Sequence, residues 1–365
     1  MSEWQTFCLK DLVKIFGGST PPTNNPKNYG NKIRWITAKD LSTLQGRYIK
    51  KGSRSISRLG FKSCSTFLLP KHAILFSVRA PIGYTAIISK RSCTDRGLMG
   101  LVPNKKIYFE FLYYLLKHHK HNISNMGVGT TFKGISKPAL GLFQVKIPPT
   151  YYEQQKIART LSVLDQKIEN NHKINELLHT LAYKIYEYYF KYKPKNAKLE
   201  QIIIENPKSN IMVKNAQKTQ DKYPFFTSGD NILSYPKAII DGRNCFLNTG
   251  GNAGIKFYVG KASYSTDTWC ICANEFSDYL YLLLSSIKNH INQSFFQGTS
   301  LKHLQKNLLK KYPIYMPSAH EIKKFNQIIM PLLTLISINT RTSKKLEQIR
   351  DFLLPLLLKQ QVKPQ

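Results

Sequence analysis

The sequence predicts an α+β chain ordered as globule, long helix, globule, long helix, the second pair repeating the first. Three observations carry this. At 365 residues the chain has room for two domains or three. Residues 151–193 contain no Pro or Gly and carry a heptad pattern of apolar residues. That pattern returns 168 residues later. Hydrophobic residues make up 42% of the chain, enough for a sizeable core, which excludes a mostly disordered polypeptide. No apolar run reaches the ~18–20 residues that cross a bilayer. The longest, Ile328 to Ile338, is too short and contains Pro331. The first residues lack the apolar core of a signal peptide, and six Cys without regular spacing suit a reducing, cytoplasmic location.

The first globule is expected over residues 1–148. Ile33 to Thr37, Ala73 to Val78 and Thr85 to Ser89 read as strands, and Tyr108 to Lys120 reads as a helix. The central helix is expected over 149–193. Its seam runs through Ile157, Leu161, Leu164, Ile168, Asn171, Asn175, Leu178, Ala182, Ile185 and Tyr189, in alternating steps of four and three. At ~1.5 Å per residue, about 40 residues make a strut near 60 Å long. The second globule is expected over 194–316, with strands at Asn244 to Leu247, Ile255 to Val259 and Trp269 to Cys272 and a helix from Asp278 to Gln293.

The second long helix is expected over 317–365. At the 168-residue shift Ile329, Leu332, Ile336, Asn339, Leu346 and Leu353 fall on Leu161, Leu164, Ile168, Asn171, Leu178 and Ile185. Pro331 must kink this helix, and Pro355 must bend or end it. Asn171 and Asn339, at one seam position in both copies, either control register or are merely tolerated. The match extends upstream: Val145-Lys146-Ile147 precedes one helix and Ile314-Tyr315-Met316 the other, while Gly129-Thr130-Thr131 corresponds to Gly298-Thr299-Ser300. A glycine turn follows a buried strand in both globules, Pro81-Ile82-Gly83 and Asn252-Ala253-Gly254, so the globules repeat as well.

Charge narrows the function. The chain has 54 Lys and Arg against 21 Asp and Glu, a formal net charge of +33. Residues 1–148 carry +19, 149–193 carry +2, 194–316 carry +7 and 317–365 carry +5. Two basic blocks separated by a nearly neutral helix point to a polyanion, with nucleic acid first, because Lys and Arg neutralise phosphates and release counterions. A membrane surface would call for a helix with a clean basic face, and none is found.

Catalytic motifs do not emerge. Ile147-Pro148-Pro149-Thr150 lacks the Asn or Asp and the aromatic of an amino-methylating site, and its prolines suit a helix start. Gly129 to Gly134 is followed by Ile135 and makes no phosphate loop; Gly250 to Gly254 reads as a tight turn. Cys270 and Cys272 read as strand core rather than metal ligands, and His118, His119 and His121 as helix-end residues. Glu321-Ile322-Lys323 has the E-x-K form of a carboxylate nuclease, yet its Glu corresponds to Glu153 and suits a helix N-terminus. The chain therefore reads as non-catalytic, with no metal.

Several motifs in this order resemble the specificity (S) subunit of Type I restriction–modification enzymes. Gly17-Gly18-Ser19-Thr20-Pro21 is similar to the "GGTP" that opens that family's target recognition domains. Ile33-Arg34-Trp35-Ile36-Thr37, with Asp40-Leu41, resembles its "I-x-W-I-T…D-L". Pro148-Pro149 followed by Glu153-Gln154-Gln155-Lys156-Ile157 looks like the "P-P…E-Q…I" that opens its spacer helix. Tyr223-Pro224-Phe225-Phe226-Thr227-Ser228-Gly229 resembles a second domain's opening. At the second long helix a single Pro317 with Glu321-Ile322 departs from that pattern. The resemblance implies two globular α/β target recognition domains related by a pseudo-two-fold repeat. It also implies that the two long helices separate them and pair as an antiparallel coiled coil. Each domain would read one half of a split duplex-DNA target. The implied partners are two DNA methyltransferase (M) subunits and restriction (R) subunits. S-adenosylmethionine, ATP and Mg would belong to those partners, with no cofactor in this chain.

Base and phosphate contacts are expected from Lys, Arg, Asn, Gln, Ser and Thr in loops. In the first globule the candidates are the loop Arg47 to Lys62, with Lys50, Lys51, Arg54 and Arg58, together with Arg79 and Lys133. In the second they are Asn248, Thr249, Asn252, Lys256, Gln297, Thr299, Ser300 and Lys302. Two rival readings stand beside this one: a fused restriction-methylation enzyme and a freestanding nucleic-acid-binding scaffold.

Overall fold

In the computed structural model the run Ile74-Leu75-Phe76 forms a strand, Ile74–Ser77, whose alternation sends side chains to two faces. Ile74 and Phe76 join one apolar cluster, and Leu75 joins another on the opposite face. A strand covered on both sides needs an unbroken apolar run, which is what this segment supplies. The structure describes residues 3–79, 81–129, 133–216 and 222–364. Thr130 and Thr131 of the repeat match lie outside them.

Two compact units result: Met1–Asn170 with Ser343–Gln365, and Asn171–Thr342. In the first unit a five-stranded sheet runs in the order Val13–Gly17, Leu98–Pro103, Ile74–Ser77, Thr85–Ile88, Tyr48–Ile49. All neighbours are antiparallel except the last pair. A smaller sheet sets Tyr29–Ile36 between Arg54–Ile56 and Cys93–Thr94. The globule closes at its base where Gln5–Cys8 pairs with Gln144–Ile147.

The second unit repeats this plan. Its four-stranded sheet orders Ile204–Glu205, Thr268–Cys272, Arg243–Asn248 and Ile255–Val259. Cys245, Leu247, Trp269 and Ile271 enter one cluster, and Phe246 and Cys270 enter the cluster on the other face. Cys270 is thus a core residue whose thiol burial pushes well above its usual range. Its base closes where Ala197–Lys198 pairs with Pro313–Ile314. In each unit the helix expected after the sheet is two helices: Phe109–His118 then Lys120–Asn125, and Ser277–Ser286 then Lys288–Ser294. The breaks fall at His119 and Ile287, where ψ rises to 7° and 14° and turns the chain.

The first long helix spans Tyr151–Tyr186 and passes into a π-helical turn, Glu187–Lys191. The second spans Ala319–Leu358 and is continuous through Pro331 and past Pro355, so of the expected bend or end at Pro355 the end is not made. Both start with a reciprocal cap. The Glu153 amide donates to Thr150 Oγ1 and the Glu321 amide to Ser318 Oγ, while each hydroxyl donates back to its glutamate. In the first unit Ile157, Ala158 and Leu161 share a core with Leu354, Leu357 and Leu358. In the second unit Ala182 and Tyr186 share one with Ile322, Phe325, Ile329, Leu333 and Ile336. The start of one helix meets the end of the other and vice versa, so they pair antiparallel. Along the seam Ile157, Leu161, Ile168, Ile329 and Ile336 are buried; Leu164, Asn171, Leu178, Ile185, Leu332, Asn339, Leu346 and Leu353 are half-buried.

Candidate nucleic-acid interface

The glycine-rich opening of the first globule is a close-packing device. A Cβ on Gly18 would stand 1.9 Å from the Asp95 carbonyl oxygen, so no other residue fits. The Trp35 indole donates to the Ser19 carbonyl at 3.2 Å, tying this segment to the strand Tyr29–Ile36. Thr37 and Asp40 then cap the helix Ala38–Ser42 reciprocally. Asp40 also accepts the Ser53 amide at 2.8 Å, which pins the turn that carries Lys50 and Lys51. Burial works against the Asp40 charge, but hydrogen bonds from Ser53 and Thr37 outweigh it and hold the carboxyl below its usual value.

The expected loop Arg47 to Lys62 is largely ordered, as two short strands and the helix Arg58–Lys62. Lys50, Lys51, Arg54 and Arg58 are exposed on it, and Arg54 lies over the Tyr29 ring at 4.6 Å. Arg47 is the exception: it is 3% exposed and ion-paired to Glu110 and Glu169. Arg79 and Lys133 come together because Arg79 bridges Gly134 and the Ile135 amide donates to the Val78 carbonyl. Both side chains are exposed. The globule's acids are largely spent inward. Glu110 meets Arg47, Asp40 is a cap, and Asp95 is held above its usual range by burial. Its exposed surface is therefore left mainly to cations.

The second unit likewise bridges a strand-end loop to a later segment, here a hairpin. Gly250 bridges His303, the Gly251 amide donates to the Lys302 carbonyl at 2.9 Å, and the Leu304 amide donates to the Thr249 carbonyl at 3.0 Å. Phe296–Gln297 pairs with His303–Leu304 to form the hairpin. Asn252, Gln297, Thr299, Ser300 and Lys302 are exposed on this surface. Asn248 and Lys256 are held inside it. Lys256 Nζ donates to Asn248 Oδ1 at 3.1 Å and to the Thr227 carbonyl at 2.8 Å, and burial pushes its ammonium down. The Asn248 amide nitrogen donates to the Asn252 carbonyl. Thr249 is half-buried with its hydroxyl on the Asp267 carbonyl. These three therefore prop the loop that displays Asn252. The fold adds two residues to the display that local pattern did not single out: His303, exposed opposite Gln297, and Lys120, over the Tyr84 ring at 5.6 Å. Neither has a sequence signal, because hairpin pairing and ring contact place them.

Among the described residues no group of three or more His, Cys, Asp and Glu could hold a metal ion. No helix among them is long and apolar enough to cross a membrane.

Comparison with known proteins supplies the family. The family described as Type I restriction modification DNA specificity domain matches residues 1–180 and again 195–348. The chain is similar to the Type I restriction enzyme MjaIX specificity subunit of Methanocaldococcus jannaschii, 28% identical over 403 residues, covering 98% of this chain and 93% of that one. It is also similar to the Type I restriction enzyme HindI specificity subunit of Haemophilus influenzae, 27% identical over 160 residues, covering 40% of this chain and 34% of that one. The fold is shared with the crystal structure of a Type I restriction-modification system S subunit from M. genitalium. The TM-score is 0.63 at 18% identity, covering 97% of this chain and 96% of that one. With its family match falling twice, once on each copy of one plan of sheet and helices, the chain belongs to the specificity-subunit family of Type I restriction–modification systems.

Proposed function

We propose that this chain is the non-catalytic DNA-reading subunit of a cytoplasmic Type I restriction–modification complex, in which each globule reads one half of a bipartite duplex target. The observation that carries this is the duplicated display, a strand-end loop bridged to a downstream segment, at Arg79 and Gly134 in the first unit and at Gly250 and His303 in the second, with exposed cations in both and exposed amides in the second. Phosphate contacts from the cations would fix position, and amides and arginines would read base edges. Two methyltransferase subunits dock on the long helices, and restriction subunits join through the assembled complex. Exposed Ile174, Leu177 and Leu181 support such docking, because they recur at helical spacing on the first long helix, and exposed Tyr188 and Tyr192 follow in and just past its π-helical turn. S-adenosylmethionine, ATP and Mg are then held by the partners.

The test is to express the chain with its native methyltransferase partner, purify the complex and sequence the methylated DNA. A split target with two fixed halves and an unspecified gap is expected. Leu177→Glu with Leu181→Glu should remove the methyltransferase from the purified complex while the chain still melts cooperatively. A continuous target, or tight S-adenosylmethionine binding by the chain alone, would overturn the reading.

A further inference from the structure

Each globule is fastened to a long helix through one arginine and one acid, and the acids occupy matching positions. Glu110 is the second residue of Phe109–His118 and Asp278 the second of Ser277–Ser286. In the first unit Arg47 Nη1 donates to Glu110 and its Nε to Glu169 on the first long helix, both at 3.2 Å. The Arg47 backbone amide also donates to Glu169, at 2.8 Å. Gly46 has φ +114°, and a Cβ there would stand 3.1 Å from the Glu169 side chain, so the turn is shaped to that carboxylate. Tyr48 and Tyr108 hydroxyls complete the shell of Glu110. In the second unit Arg243 grips Asp278 with two nitrogens. It reaches the second long helix through Thr334 Oγ1 at 3.0 Å and the Met330 carbonyl at 3.2 Å. Asp278 is 1% exposed.

We propose that Arg47 and Arg243 are positioning residues that determine which gap between half-sites is accepted; this rests on the proposed bipartite reading. Arg47 comes from the bend before Tyr48–Ile49 and Arg243 from the start of the strand Arg243–Asn248; the two nevertheless reach equivalent acids, and each spans globule and helix with a planar, multiply bonded guanidinium. Such a contact fixes angle as well as distance, which a point-charge ammonium does not. One added base pair moves a half-site by ~3.4 Å and turns it by about 35°. A globule held rigidly on its helix cannot follow that displacement, whereas a loosened one can. The clamps therefore convert a fixed helix length into a fixed gap.

The experiment uses the complex with its methyltransferase and a DNA library of constant half-sites and variable gap. Arg47→Lys keeps the charge balance but loses the two-sided grip. Thr334→Val removes only the helix hydroxyl and leaves the Arg243–Asp278 pair intact, so it carries the test if Arg47→Lys fails to fold. Each should raise methylation at gaps one base pair longer or shorter by at least about tenfold relative to the preferred gap. That factor corresponds to one hydrogen bond to a charged group. The half-sites should stay the same. An unchanged gap profile in folded, active variants would overturn the inference, as would a changed half-site. A wild-type complex that methylates continuous sites would instead overturn the bipartite reading itself.

Discussion

His119 sits where Phe109–His118 gives way to Lys120–Asn125, its ring edge-on to Phe143 at 5.3 Å. Burial first, and the neighbouring His118 second, push its pKa from 6.5 down to about 4. Above pH 6.5 the ring is neutral in both folded and unfolded chains. Between about 6.5 and 4 only the unfolded chain takes the proton, so stability falls as pH falls through that window. Melting curves should show the first unit losing stability from pH 6.5 to 4, and His119→Gln should flatten that loss. A variant with the wild-type pH slope would show that the ring does not carry it. The sequence placed three histidines at a helix end but could not rank them, because ranking depends on packing from Phe143, 24 positions away.

At the element scale the heptad seam and the helix starts marked by Glu153 and Glu321 were both legible, since each depends on residues within one or two turns. The polar seam positions were not fully so. Asn339 and Asn171 share one seam position in the two copies, which does not say what either touches. In the second unit, however, the Asn339 amide donates to Asn175 Oδ1 at 2.9 Å, and the Asn175 amide lies 3.4 Å from the Ile336 carbonyl and Thr340 Oγ1. Register across two helices follows from how they slide together, which one helix's periodicity does not contain. Asn339→Leu should strand an acceptor on Asn175 and cost about 1 kcal/mol in denaturant unfolding; adding Asn175→Leu should recover most of it, since losing both partners leaves nothing unsatisfied. If the double variant is less stable than the single, the pair is not a paired seam contact. Pro331 and Pro355 show the same limit from the other side. Local rules forbid proline inside a helix, yet a helix buried along Phe325, Ile329, Leu333 and Ile336, and again at Leu354, Leu357 and Leu358, runs through both.

Over the whole molecule the charge is the dominant physical fact, at +33. Lys50, Lys51, Arg54 and Arg58 stand exposed on one turn-and-helix segment of the first globule. If all four lie on phosphates, changing them to Gln should make the slope of log affinity against log salt shallower by about 3 to 4, at ~0.9 per contact. Titrations of the full complex at several salt concentrations measure this, with the recognised half-sites unchanged. A slope that does not move would place DNA elsewhere on the globule. Composition, charge partition, the α+β repeat and the long helices were determined by the sequence alone. These properties are either sums over residues or periodic patterns, and both survive without knowledge of contacts. Only the tertiary structure decided which polar side chains are free. Arg47 finds Glu169 across 122 positions, Arg350 finds Asp165 across 185, and Lys256 is turned inward onto Thr227 and Asn248. A cation becomes a clamp, a prop or a displayed contact according to partners brought from distant segments, and no local pattern encodes that meeting.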